Sequence, residues 1–365
     1  MKKVGFVGWR GMVGSVLMER MTTENDFSQM ESYFFSTSQT GEAAPKVPNA
    51  YEKLLPAMDS KELSQMDVLV SCQGGEYTTE MFPLLRKEGW QGIWIDAAST
   101  LRMKDDAVIV LDPVNRDYIQ ESIHRGVKNF VGGNCTVSLL LIALDGLFKA
   151  NMVEWVSSMT YQAASGAGAK NMIELLDQMK SVGTTFSKHP SDSALELEKK
   201  MTHLMNGGEF PKANFGHALA LNVLPWIDSE MPSGQSKEEW KAQVEANKIL
   251  QSKSIIPIDG TCVRVGSLRC HSQGLTIKLK KSAHLSTVEE IIANANPWVK
   301  LVANNKADTL KELTPAAVSG KLHIPIGRLR PMTLGDQYIN AFTLGDQLLW
   351  GAAEPLRCAL SQVLQ

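Results

Sequence analysis

Cysteine is scarce: Cys72, Cys135, Cys262, Cys270 and Cys358 are the only five in 365 residues, and none lies at CxxC spacing. A scattered, odd-numbered set argues against a disulfide framework or a zinc site and points to a reducing compartment; no metal is expected. Long apolar runs are missing too. None approaches the ~20 residues needed to span a bilayer. The N-terminus, Met1-Lys2-Lys3-Val4-Gly5, enters a strand pattern at once, without the apolar core or cleavage site of a signal peptide. Neither sign of charge predominates: Lys+Arg 37 against Asp+Glu 39 gives −2. Such a balance offers nothing to nucleic acid or to a membrane surface. There is no internal repeat and no low-complexity tract. A cytoplasmic globular protein is expected, with 44% hydrophobic and 21% charged residues. At roughly 100–200 residues per domain, the length suits two domains.

What is present begins with a nucleotide-binding pattern. Val4-Gly5-Phe6-Val7 reads as a buried strand, Gly8-Trp9-Arg10-Gly11-Met12-Val13-Gly14 as a turn, and Ser15 to Met21 as a helix. Glycines between a first strand and first helix permit the turn, the approach of a phosphate and close helix–strand packing. The spacing is GxxGxxG, not the GxGxxG of the usual fingerprint. The second strand runs into Phe35-Ser36-Thr37-Ser38, where an NAD site would place an acid for the ribose 2′-OH. Hydroxyls with Arg10 nearby suit a 2′-phosphate, so NADP is expected; read as a plain polar turn, the same residues carry no preference. Strands at Val68–Ser71, Ile93–Asp96 and Val108–Leu111 alternate with a helix at Thr78–Glu88, implying a parallel sheet with helices on its faces. Gln73 and Arg102 follow two of these strands at the ligand-bearing edge, although Arg102 also reads as an ordinary surface arginine.

The centre of the pattern is Val131-Gly132-Gly133-Asn134-Cys135-Thr136, which runs into the apolar stretch Val137 to Leu147. Strand, tight turn and helix put Cys135 at a helix start. There unpaired N–H groups lower a thiol pKa and can hold an oxyanion. A small buried core cysteine is the competing reading.

The second half reads differently. Trp155 to Gln162 alternates as a strand and ends in the small-residue loop Ala163 to Ala169, a bend or a place for a nicotinamide. Helices are expected over 170–182 and 192–204, and loops over 206–236. Ser236-Lys237-Glu238-Glu239 forms a capping box. Glu238, Lys241, Glu245 and Lys248 then share one helical face, as a solvated stripe or facing a polar site. Cys262 to Ser272 and Leu275 to Lys280 read as antiparallel strands. Arg264 and His271, seven apart, share a face only if a bulge or turn near Gly266-Ser267 resets the phase. Pro355 kinks or restarts the last helix. A thiolate, a histidine and a nicotinamide site together suit acyl transfer to sulfur followed by hydride transfer, with His271 moving the proton near its ordinary pKa. A cysteine–histidine hydrolase or acyltransferase, and a nucleotide-binding regulator without catalysis, are the readings from other classes.

Motifs along the whole chain closely resemble the bacterial aspartate-β-semialdehyde dehydrogenases: Gly8 to Gly14, Phe35 to Ser38, Gly132 to Thr136, Tyr161 to Gly166, Arg264 to Gln273 and Phe342 to Gly351. The resemblance implies an α/β protein: an N-terminal Rossmann-like doubly wound sheet with a C-terminal α+β catalytic and dimerisation domain, like glyceraldehyde-3-phosphate dehydrogenase. Residues 1–133, completed by helix 354–365, would bind NADP, and residues 134–353 would carry catalysis and homodimerisation. The reaction implied is NADPH-dependent conversion of β-aspartyl phosphate to aspartate β-semialdehyde and phosphate, feeding lysine, threonine and methionine synthesis. By the same resemblance Cys135 forms the acyl-enzyme, with Asn134 beside it, His271 is the general acid/base, and Gln162 orients substrate. Arg264 grips the α-carboxylate in planar, bidentate fashion. Glu238 contacts the substrate, and Arg102 and Lys241 bind phosphate. Arg10, Gly11, Met12, Val13, Thr37, Ser38, Gln73, Ser165, Gly166, Ala167, Gly168, Ala169, Pro190 and Gln347 match cofactor contacts, beside the Gly8 turn. An N-acetylglutamyl phosphate reductase is the nearest alternative chemistry.

Overall fold

Short apolar runs close the first part of the chain into a seven-stranded sheet in the computed structural model, which describes residues Met1–Gln365. Its strands are β1 (Lys3–Val7), β2 (Glu31–Ser36), β3 (Leu55–Pro56), β4 (Val68–Ser71), β5 (Ile93–Asp96), β6 (Ala107–Val110) and β7 (Asn129–Gly132). Their order is β3-β2-β1-β4-β5-β7-β6, and every pairing is parallel. Parallel sheets are covered on both faces, and β4, β6 and β7 are accordingly buried along their whole length. The order reverses between β1 and β4, which opens a crevice at their carboxyl ends. Gly8 turns there at φ +73, and a Cβ on it would lie 2.5 Å from the backbone of Cys72 and Gln73. Only glycine fits that close approach.

The second sheet contains β8 (Val153–Gln162), β9 (Ile258–Asp259), β10 (Cys262–Arg264), β11 (Cys270–Leu279), β12 (Val299–Leu301), β13 (Ile324–Met332) and β14 (Gly335–Asp346). Its order is β10-β8-β11-β14-β13-β12, with β9 against β8. The expected antiparallel sheet is in fact mixed: β9 and β10 run parallel to β8, and β12 parallel to β13. A parallel return needs a crossover, and the long helical excursion between β8 and β9 supplies it. That excursion holds helices Ala169–Ser187, Ala194–Asn206 and Lys237–Ile249. The helix Cys135–Lys149 is buried along nearly all its length, in one hydrophobic core with Ile109 and Val131 of the first sheet and Leu275 and Ile277 of the second. No helix is long and apolar enough to cross a membrane.

After β14 the chain returns to the first sheet through a π-helical turn, Leu349–Ala353, and the helix Glu354–Leu364. Leu356, Ala359, Leu360 and Val363 join Val4, Phe6, Leu17 and Phe130 in a second core. Pro355 starts this helix; in the first turn its missing N–H leaves no bond unmade. Arg357 ties the helix to Asp26 at 2.7 Å. Leu356 is 1% exposed. Leu356→Ala should therefore cost about 2–5 kcal/mol, read as a lower melting temperature in thermal unfolding.

Candidate active site

The nucleophile turn is built by a helix cap. Oδ1 of Asn134 accepts from the N–H groups of Thr136 at 3.0 Å and Val137 at 3.2 Å, so Cys135 is the first residue of its helix. A cap of this kind contributes about 1 kcal/mol to a helix. The π-helical turn closes on the other side: a Cβ on Gly351 would lie 2.7 Å from Cβ of Cys135. Opposite stands His271, fully buried on β11, with Nε2 3.2 Å from Sγ of Cys135. Its Nδ1 accepts the Ala163 N–H at 2.9 Å. The neutral ring therefore carries its proton on Nε2, facing the sulfur.

Protonation here runs opposite to the sequence expectation. Burial pushes the Cys135 thiol up to about 12; Glu238 adds to the rise, while Arg264, Arg102 and Lys241 oppose it. Burial, then the charge of Arg264, holds His271 well below its ordinary 6.5. Desolvation penalises both charged forms and is the first cause of each shift. The resting pair is a thiol and a neutral imidazole.

The sulfur opens on a cavity of about 590 Å³ between the two sheets, lined in part by Gln162, Glu238, Lys241, Arg102 and Arg264. Glu238 is its hub. Oε1 accepts from Asn134 Nδ2 at 2.9 Å and Gln162 Nε2 at 3.2 Å, and Oε2 from Lys241 Nζ at 3.1 Å. Lys241 also pairs with Asp228 at 2.7 Å. Arg102 donates Nε to the Gly132 carbonyl at 2.7 Å and pairs through Nη1 with Glu245 at 3.2 Å. Arg264 donates Nη1 to the Ala163 carbonyl at 2.8 Å and, of these cations, is the one without a carboxylate partner. A buried, unpaired guanidinium is costly and favours an anionic ligand.

At two places where the sequence left alternatives open, the structure selects one. The face bearing Glu238, Lys241 and Glu245 is no solvated stripe: both carboxylates are buried, because the helix Lys237–Ile249 lies across the gap between the sheets. Arg102 is no surface arginine, since the turn after β5 tucks it beneath that helix. The capping box holds, with Ser236 N–H donating to Glu239 at 2.7 Å. The phase reset also occurs. β10 ends at Arg264, residues 265–269 turn, and β11 begins at Cys270, so Arg264 and His271 flank β8 on separate strands.

The structure spreads the dinucleotide residues along the crevice. Met12, Val13, Ser165, Gly166, Ala167 and Gly168 line the cavity, and Gln347 Nε2 donates to Ser165 Oγ at 2.8 Å. Ala169 starts the helix that follows. Arg10 Nη2 donates to Ser36 Oγ at 2.8 Å, at the end of β2, beside exposed Thr37 and Ser38. Gly8, Gly11 and exposed Gln73 frame the crevice mouth. Pro190 is not brought to the cavity; it sits exposed in the turn after helix Ala169–Ser187. Sequence reasoning missed Asp228, an isolated loop acid at φ +74, and assigned no role to Glu245. The spacing of Glu245 from Glu238 was the signal available for it.

The semialdehyde dehydrogenase NAD binding domain matches residues 3–122, and the semialdehyde dehydrogenase dimerisation domain matches residues 144–350. Aspartate semialdehyde dehydrogenase from Francisella tularensis is 52% identical over 99% of each chain, with a TM-score of 0.97. Aspartate semialdehyde dehydrogenase II from Vibrio cholerae, complexed with ASA, is 23% identical over 100% of this chain and 98% of that one, with a TM-score of 0.81. The Candida albicans enzyme with NADP is 15% identical over 100% and 98%, with a TM-score of 0.64; these last two likenesses are of fold alone. Fold and matched domains together define an oxidoreductase of the semialdehyde dehydrogenase class, built on a nucleotide-binding sheet. Within that class, the chain belongs to the aspartate semialdehyde dehydrogenase family.

A raised thiol pKa means few thiolates at neutral pH, and only the thiolate alkylates. Iodoacetamide should therefore modify Cys135 of the ligand-free protein slowly at pH 7. The rate should still be climbing beyond pH 9, with no plateau, when followed by mass spectrometry of the Cys135 peptide.

Proposed function

We propose that the chain reduces β-aspartyl phosphate to aspartate β-semialdehyde and phosphate with NADPH, through a thioester on Cys135, in the synthesis of lysine, threonine and methionine. The observation that carries this reading is a thiol 3.2 Å from an imidazole, inside a cavity whose Arg264 awaits an anion. Arg264 takes the substrate α-carboxylate as a bidentate fork. Glu238 takes the α-ammonium, and Gln162 and Asn134, both bonded to Glu238, hold the acyl group toward sulfur. Sγ attacks the acyl carbon, and the acyl–oxygen bond breaks as phosphate leaves toward Arg102 and Lys241. Glu245 takes the Asn134 amide and the Asn134 side chain takes those of Thr136 and Val137, which leaves the N–H of Cys135 itself for the oxyanion. His271 Nε2–H faces the sulfur and serves as the acid/base group; for Nε2 to accept the thiol proton, the ring releases the Ala163 amide and carries its own proton on Nδ1 instead.

The first-sheet crevice suits a dinucleotide, since the strand order reverses there and the first strand passes into its helix through a turn at Gly8 that only glycine can make against the backbone of Cys72 and Gln73. When bound, the nicotinamide nucleotide supplies the hydride. NADP is preferred over NAD because β2 ends in hydroxyls without an acid, with Arg10 held on Ser36. Residues 1–133 with helix 354–365 form the cofactor domain, and residues 134–353 the catalytic and dimerisation domain. The matched dimerisation domain, with Met159 and Tyr161 of β8 42% and 41% exposed, supports a homodimer. The enzyme acts in the cytoplasm.

Cys135→Ser should lower oxidation of aspartate semialdehyde with phosphate and NADP by at least about a thousandfold, while NADP still binds in a fluorescence titration; full activity would refute the thioester. Arg264→Lys should raise the semialdehyde KM by about tenfold or more through loss of the planar fork, with the NADP KM little changed. Equal effects on both constants would count against carboxylate recognition.

A further inference from the structure

We infer that Glu245 is a positioning residue for the phosphate step, aiming Arg102 and anchoring the nucleophile turn with one carboxylate. The inference rests on the proposed role of Arg102 as a phosphate ligand. Glu245 is 2% exposed, and its two oxygens serve two separate segments. Oε1 accepts from Arg102 Nη1 at 3.2 Å, and Oε2 from the backbone N–H of Asn134, the residue before Cys135, at 2.7 Å, with a longer contact to Arg102 Nη1 at 3.5 Å. Three pieces of chain meet at this side chain: the turn after β5, the turn after β7 and the helix Lys237–Ile249. One helical turn further on, Lys248 Nζ donates to the carbonyls of Arg102 and Lys104, each at 2.7 Å. The helix thus holds the Arg102 turn by its backbone through Lys248 and by its side chain through Glu245.

Only a carboxylate satisfies this arrangement. It faces donors on both oxygens, and an amide offers one acceptor and one donor. Glutamine at this position bonds either Arg102 or Asn134 and turns its NH2 group against the other. A purely electrostatic role and a positioning role then differ in sign. Removing a negative charge near the phosphate site draws the phosphate dianion in and lowers its KM. Releasing Arg102 from its aim raises it.

The test uses the full-length enzyme in the semialdehyde-oxidising direction, varying inorganic phosphate, semialdehyde and NADP in turn. Glu245→Gln should raise the phosphate KM about tenfold, with the KM values for semialdehyde and NADP within about twofold of the parent. Because Glu245 acts through Arg102, adding Glu245→Gln to Arg102→Lys should raise the phosphate KM little further. Glu245→Asp keeps both acceptors on a shorter stem and should show a smaller rise of about threefold, which serves if the glutamine variant does not fold. A phosphate KM that is unchanged or lowered in these variants overturns the inference, as do multiplicative effects in the double variant. A parent enzyme with no phosphate-dependent turnover overturns the functional reading, and this inference with it.

Discussion

Burying charge between two sheets is the constraint on which the rest of the site depends. The helix Lys237–Ile249 lays Glu238 and Glu245 across the gap, and each carboxylate is matched by a cation and by uncharged donors. Unmatched, either would be expelled or neutralised, because desolvation of a buried carboxylate is worth several kcal/mol. The matching also sets geometry. Glu238 fixes Asn134 and Gln162 relative to Lys241, and Glu245 fixes Arg102 relative to the turn that carries Cys135. Arg264 is left as the one cation whose counter-charge has to arrive with a ligand.

The same burial accounts for the resting state of the reactive pair. In water a thiol, with a pKa of about 8.5, already keeps its proton beside a histidine of about 6.5, and burial widens that gap. Here both charged forms are disfavoured, and the Ala163 amide commits Nδ1 to accepting. The enzyme therefore waits with a neutral pair. Arg264, Arg102 and Lys241, already placed around the sulfur, are the groups that favour its anion.

The architecture was largely legible from local pattern. The glycine turn between Val7 and Met12, the buried runs at Val68 and Ile93, and the apolar helix after Cys135 each follow from short-range periodicity and turn chemistry, and each lies where the pattern put it. The capping box at Ser236 was equally visible, because both partners lie within one helical turn. Sheet direction was less legible. The stretch from Cys262 reads as antiparallel ribbon, and only the long excursion after β8 brings β10, with β9 before it, back parallel to β8.

Sequence alone determined the alternation of strands and helices, the turn that presents Cys135 and the spacing that splits Arg264 from His271, because these rest on bonds and packing within a few residues. Tertiary structure decided which way charges face and which proton is bound. The stripe of Glu238, Lys241 and Glu245 reads as solvated on an isolated helix, and Arg102 as a surface residue. Both become buried because a helix from the second half of the chain covers the edge of a sheet from the first. The thiol pKa follows the same logic: the local sequence shows only the helix start, which favours the thiolate, while the enclosing protein supplies the desolvation that pushes the thiol up.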